Sequence, residues 1–427
     1  MRSILWRALL ALAALLGGSV QLDAQADTLR VTLADAQRMA LRQNPLFLAD
    51  AQVRDIAGGQ LRQARLYQYN PQVEFEAPAA ISNGVNAYDA WLWQEVEWAG
   101  QRGLRIGAAE RGLAAAEGFV SDAARRTLAE VSIAFYSALA FQRRVEVAEG
   151  LLTLNARLLD AVRIQVAEGD ISLMEANFAG IETGRARALV LATRRQATTA
   201  ALELGRTLGE SPDVRIHASE SVEHLPPVAT LDSDSLVQAA LLARPDLAAR
   251  VAEEQQAESL TRLVRRAAIP NVRLGAVLTQ TPGNGGTRWG FGVGLPLPFW
   301  NRNQGLVATG EALTRRASLA RTATELRIRT EVEQAAQAYA AAAEEAQIFE
   351  VDVLEPAKQN QGLLETAYRA GRIGLTDLVL LRNQLLDAEL GYWDAWLTLR
   401  AAWIDLQSAT GSLRGTAPES ENEQGEP

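Results

Sequence analysis

The sequence predicts a mainly helical protein with a small β part, made by duplicating one unit of long helices and paired strands. Three observations predict it. Alanine-rich stretches run for tens of residues without a proline, four short runs alternate polar with apolar, and anchor residues recur about 200 positions apart. VEWAGQRG at Val96 to Gly103 returns as LPLPFWNRNQG at Leu295 to Gly305, pairing Trp98 with Trp300 and Gly103 with Gly305 at an offset of 202. Asn44-Pro45 answers Arg244-Pro245 at 200, Asn70-Pro71 answers Ile269-Pro270 at 199, and Gly209 answers Gly411 at 202. A period this long marks a duplicated half-domain rather than a solenoid repeat.

The elements follow in order. Residues 1–26 read as a secretory signal, with Arg2 and Arg7, an apolar stretch from Ala8 to Leu16, and a cleavage site after Ala26; a buried N-terminal helix is the other reading. The first repeat, 27–210, holds helices at 33–43 and 45–67, strands at about 72–77 and 88–98, and a helix at about 103–167. A turn at 169–173 returns the chain through a helix ending near 208. A linker spans 211–232, with prolines at 212, 226 and 227, and is expected to wrap the helical body near its middle. The second repeat, 233–411, predicts helices at 234–243 and 245–267 and strands at 271–280 and 288–295. Helices at 305–370 and 376–410 follow, with a turn at 371–377 and a bend at Pro356. An acidic tail, 412–427, lacks apolar periodicity and is expected to be disordered.

The helix lengths limit the architecture. A rod from 103 to 167 is ~100 Å long at 1.5 Å per residue, which no compact domain of this size could bury. The two shorter helices of the same half match it if stacked end to end. Alanine lets helix backbones approach and tile a curved wall. Strict heptads of large apolar residues, which a dimeric coiled coil would show, are missing.

The strands sort by face. Val73 and Phe75 alternate with Gln72, Glu74 and Glu76; Val272 and Leu274 alternate with Arg273 and Gly275. Trp289, Phe291 and Val293 alternate with Arg288, Gly290, Gly292 and Gly294. Apolar outward and polar or tiny inward is the pattern of a lipid-facing barrel, although a half-buried soluble sheet alternates too. The second strand is less clean: Trp91 and Trp93 face opposite to Leu92, Val96 and Trp98, and its aromatics suit a membrane interface. Four strands cannot close a barrel, and lipid tolerates no open edge. A membrane-spanning reading therefore requires an oligomer, and three chains with twelve strands form the simplest one with a pore.

Charge narrows the classes further. The formal net charge is −9, and −10 once the segment with Arg2, Arg7 and Asp23 is removed, which argues against nucleic acid as a partner. The sequence has no cysteine and only three methionines, so soft-metal coordination is not expected. His217 and His224, with Glu220 and Glu223 nearby, lie in the linker without the spacing of a zinc site. No phosphate loop, nucleophile elbow or metalloprotease pattern is present, so neither an enzyme nor a cofactor is expected. No segment after the signal has the ~20 apolar residues of a transmembrane helix.

With these motifs in place, the chain resembles the TolC-like outer-membrane efflux proteins from about Thr28 to Gly411. PLPFWNRNQG at Pro296 to Gly305 and EVEWAGQRGLR at Glu95 to Arg105 are similar to the CzcC-like branch, which serves heavy-metal pumps of the resistance-nodulation-division type. The resemblance implies a homotrimer: a twelve-stranded barrel in outer-membrane lipid, joined to a periplasmic helical tunnel. It would receive substrate from an inner-membrane pump through a periplasmic adaptor. Drug efflux, type I secretion, or a soluble periplasmic coiled-coil adaptor are the alternatives. The resemblance also places the working end at the two helix turns. There Gly169, Ile171, Leu173, Gly371, Ile373 and Leu375 are expected to offer adaptor-docking surface. Asp377 matches a gate aspartate of the family, with Arg372 and Arg369 as pairing candidates; a second aspartate found in some relatives is replaced here by Leu380.

Overall fold

The computed structural model describes residues 28–77, 88–220, 232–281 and 286–413. The chain opens with β1 (Thr28–Val31), α1 (Leu33–Gln43), α2 (Pro45–Arg65), β2 (Gln72–Glu76) and β3 (Tyr88–Val96). Next come α3 (Gln101–Glu168), α4 (Leu173–Leu208) and β4 (Arg215–Ala218). The second repeat gives α5 (Ser233–Ala243), α6 (Pro245–Arg266), β5 (Val272–Gln280), β6 (Thr287–Gly294) and α7 (Gln304–Ile348). A π-helical turn (Phe349–Leu354), α8 (Glu355–Arg369) and α9 (Leu375–Thr410) complete it.

The duplicated order is present, and its capping residues explain the boundaries. Asn44 and Arg244 precede prolines that open α2 and α6, where a missing N–H costs nothing. Helices α3, α4 and α9 end on Gly169, Gly209 and Gly411, all with φ between 72° and 84°, a conformation glycine adopts without a Cβ penalty. The 68 residues of α3 form one unbroken rod of ~100 Å. Helices α2 and α4 both pack on it, and they meet end to end: the Asn44 side-chain amide donates to the Thr207 carbonyl at 2.9 Å.

Two expectations need correction. The sequence reading gave four strands and a linker that wraps the body; the structure adds β1 and β4, which pair in parallel from Thr28↔Arg215 to Val31↔Ala218. The start of the linker is thus part of the waist, where Ile216 and Ala218 are buried with Val31, Phe135 and Leu204. The bend expected at Pro356 is a π turn directly before it. Widening the helix over 349–354 relieves the clash between a proline ring and the carbonyl four residues earlier. The signal segment, loop 81–87, His224, Glu223 and residues 414–427 lie outside the described residues.

Candidate pore wall and helical tip

β2, β3, β5 and β6 form one antiparallel sheet in that order, leaving β2 and β6 as edges. Register decides the faces, because directly opposed residues share a side. Val73 opposes Leu92, Leu92 opposes Ala276, and Ala276 opposes Phe291. One face therefore carries Val73, Phe75, Leu92, Val272, Leu274, Leu278, Trp289, Phe291 and Val293. Phe291 is 78 % exposed and Val73 77 %, so this apolar face is uncovered in the protomer. All seven residues expected to face lipid lie on it. The opposite face carries Glu74, Glu76, Asp89, Glu95, Arg273, Arg288 and Thr279, with Gly275, Gly290, Gly292 and Gly294.

Trp91 and Trp93 lie on this polar face, opposite Leu92 and Val96, as the alternation along the strand predicts. Their rings stack nearly parallel with centroids 4.7 Å apart. The Arg273 guanidinium covers the Trp93 ring at 4.6 Å, and the Trp93 indole donates to Glu74 at 3.1 Å. The glycines make room for the stack. A Cβ on Gly275 would sit 2.3 Å from the Trp93 ring, and one on Gly292 2.8 Å from it. Sequence alternation placed the glycines inward but could not show that they receive the indoles of another strand.

Below the sheet, the EVEWAGQRGLR motif ties the first repeat to the second. The Trp98 indole donates to the Pro270 carbonyl at 2.9 Å, and the Gln101 amide donates to the Asn271 side chain at 3.2 Å. The Asn271 amide in turn donates to Glu95 at 2.7 Å and to the Tyr69 hydroxyl at 3.0 Å. Arg105 clamps Glu97 at 2.6 Å, pinning the start of α3 to the end of β3.

At the far end of α3 the two turns share one geometry. Gly169 (φ 84°) and Gly371 (φ 66°) reverse the chain. Asp170 N–H reaches back to Gln165 O, and Arg372 N–H to Ala367 O, each at 2.9 Å. These bonds satisfy the last carbonyls of each helix. Beneath the turns Leu159, Val162, Ala179, Leu375 and Val379 form a small core, with Ile171 packed partly against it. Leu375 is therefore interior, 5 % exposed, and not the docking surface expected of it. As the first residue of α9 it points back under the turn. Leu173 is 66 % and Met174 76 % exposed, so Met174 joins the exposed apolar patch that the sequence reading assigned to Leu173. Ile373 is half-buried.

Asp377 is exposed at the third position of α9, where its carboxylate accepts the Gly374 N–H at 3.4 Å. Among the described residues no ion pair joins it to Arg372, and the side chain of Arg369 lies outside them. Glu175 does the same for Ser172 in the first repeat, at 3.0 Å. His217 is exposed on β4, and no metal-holding cluster occurs among the described residues.

Comparison with known proteins agrees with this geometry. Residues 236–412 match the family described as outer membrane efflux protein. The chain is 26 % identical over 364 residues to the cobalt-zinc-cadmium resistance protein CzcC of Cupriavidus metallidurans, covering 85 % of each. Among solved structures, the CmeC outer membrane channel of Campylobacter jejuni superposes with a TM-score of 0.74 at 14 % identity, covering 90 % of this chain and 87 % of that one. A membrane protein from Pseudomonas aeruginosa gives 0.73 at 21 %, covering 89 % and 90 %. The second half thus matches the outer membrane efflux protein family, a relative aligns along most of both chains, and the chain as a whole shares the fold of solved outer membrane channels.

Proposed function

We propose that three copies of this chain form the outer-membrane conduit of a tripartite efflux system, passing heavy-metal cations from an inner-membrane pump and a periplasmic adaptor to the exterior. The observation that carries the reading is the sheet: apolar on one face, polar on the other, and unpaired at both edges. Lipid accepts such a sheet only after closure, and three sheets supply twelve strands. The inward face carries four carboxylates, Glu74, Glu76, Asp89 and Glu95, against two guanidiniums, Arg273 and Arg288. That balance favours cations in the lumen. The likeness to a cobalt-zinc-cadmium resistance protein supports metal as cargo. With no cysteine in the wall, the chain acts as conduit and leaves selection to the pump.

In this reading the tip meets the adaptor through Leu173, Met174 and Ile373, with Gly169 and Gly371 shaping the turns and Ile171 and Leu375 bracing them from beneath. Asp377 would stand near the threefold axis, where three carboxylates repel one another and bias the gate. Deleting the gene while the pump is expressed should lower resistance to zinc, cobalt or cadmium. Unchanged resistance to these, and to copper and silver, would end the metal reading. Replacing Asp377→Ala should change single-channel conductance or its pH dependence in planar bilayers, and no change in either would remove the aspartate from the gate.

A further inference from the structure

The internal duplication makes one protomer a template for its own contacts with the next. Inside the chain the first repeat grips the second at one strip: Trp98 and Gln101 bind the Ile269–Asn271 segment while β3 pairs with β5. The second repeat carries the same gripping parts. Gly100 and Asn303 both cap a long helix in the left-handed conformation, with φ 81° and 63°. The next residue folds back identically in each case: Gln101 accepts the Ala99 N–H at 2.9 Å, and Gln304 accepts the Arg302 N–H at 2.8 Å. Trp300 answers Trp98 at the 202-residue offset, one residue further from its glutamine, and is 88 % exposed against 61 % for Trp98, with Phe299 65 % exposed beside it. The gripped strip also has its counterpart. Asn70-Pro71-Gln72 answers Ile269-Pro270-Asn271; the first is exposed, the second half-buried under its partners. Within one chain the Gln304 amide donates to the Trp300 carbonyl at 3.1 Å and Gln72 accepts from Arg273 at 3.3 Å, so a contact between copies would exchange these local bonds; the two parts sit beside β6 and β2, the edges of the sheet.

We infer that Trp300 and Gln304 of one protomer grip the Asn70–Gln72 strip of a second copy of this chain, with the Trp300 indole donating to the Pro71 carbonyl. The inference rests on the oligomeric reading above and assigns its contact. A large ring with one polar atom suits such a place: its body covers apolar surface while its N–H fixes the register. Asn271 has Gln72 as its counterpart, so the Gln101–Asn271 pair becomes Gln304–Gln72 between chains. The PLPFWNRNQG motif would thus be conspicuous because it is an assembly lock, with the same job between subunits that EVEWAGQRGLR has within one.

The absence of native cysteine makes the test direct. In the full-length protein in detergent, one variant carries Gln101→Cys with Asn271→Cys and another Gln304→Cys with Gln72→Cys, each treated with a short bismaleimide. The first should give an intrachain link that leaves the denatured chain monomeric. The second should give dimer and trimer bands. A trimer by light scattering whose second variant yields no interchain product would overturn the lock and leave the channel reading standing. A monomer by light scattering would remove the oligomeric reading itself, and the lock with it. Trp300→Phe keeps the ring and loses the donor; it should lower the heat-dissociation temperature of the trimer by about 2–4 °C. Trp98→Phe should leave trimer dissociation unaltered while lowering the protomer's own unfolding temperature. Equal effects of the two variants on trimer dissociation would reject the assignment.

Discussion

At the waist the first repeat begins α2 after Asn44, and the second begins α6 after Arg244. Both side chains are buried, at 5 % and 2 % exposure, and both reach the C-terminal end of a later helix, at Thr207 O in α4 and Ala409 O in α9. Asn44 also caps its own helix by accepting the Leu46 and Phe47 N–H groups. Arg244 has no acceptor to offer and instead anchors an ionic network with Asp246, Glu331 and Arg327. Duplication has kept the place and replaced the chemistry. One half is held by a neutral cap, the other by buried charge.

The barrel end differs in the same way. β3 presents two indoles to the polar face, whereas the matching strand β6 presents Arg288 and three glycines there. One repeat supplies the bulk and the other the hollow. At the rods, α3 is continuous where α7 and α8 are divided by a π turn against Gly391, whose Cβ would lie 2.6 Å from Phe349. The second repeat is the one with a built-in flexure.

Substitutions at three places sharpen this contrast. The largest effect is expected at the waist. Arg244→Ala leaves the buried Asp246 carboxylate with Arg327 alone and should cost about 3–5 kcal/mol. Asn44→Ala removes a cap and should cost about 0.5–2 kcal/mol. Denaturant unfolding of the two variants side by side would break the comparison if the order were reversed. The network also sets a pH dependence. Burial pushes the Asp246 carboxyl upward, but the Arg244 hydrogen bonds and the charges of Arg244, Arg125 and Arg327 outweigh it and hold it below the usual aspartate range. A depressed carboxyl stabilises the fold above that range and loses its contribution as pH falls through its lowered value. Melting temperature should therefore drop in acid, and Asp246→Asn should flatten that part of the profile.

A smaller effect belongs to the indole hollow. Gly275→Ala would drive a methyl into Trp93 and should cost about 1–3 kcal/mol through displaced rings. The near-ultraviolet dichroism of the stacked tryptophans should weaken with it, while Gly294→Ala, where a Cβ meets nothing closer than 3.6 Å, should leave both unchanged. The smallest effect is at the tip. Ser172 caps α4 with its hydroxyl, which Gly374 lacks, so Gly374→Ser should raise stability by only about a few tenths of a kcal/mol, read from denaturant unfolding.

Much of this was legible in sequence because backbone exceptions leave marks. Glycines with positive φ at 169, 209 and 411 and prolines after 44 and 244 fixed helix ends to within two residues, and alternation grouped the residues of the sheet's apolar face. What stayed hidden depended on distant partners. β1 and β4 are four residues each and pair across nearly 190 positions, too short for a period to register. The stack of Trp91 and Trp93 is seated by glycines on β5 and β6. Leu375 reads as exposed beside a turn but is covered by α3 residues more than 200 positions away. The bond from the Gly374 N–H to the Asp377 carboxylate is a local capping contact that depends on the backbone path of the turn, which no residue pattern displays.

The claim beneath all of this is that each sheet is part of a ring completed by sister chains. Light scattering on the detergent-solubilised mature protein, corrected for bound detergent, tests it most directly. Three chains per particle, with aggregation on detergent removal, is the predicted result. A single chain that stays folded and soluble in plain buffer would contradict it.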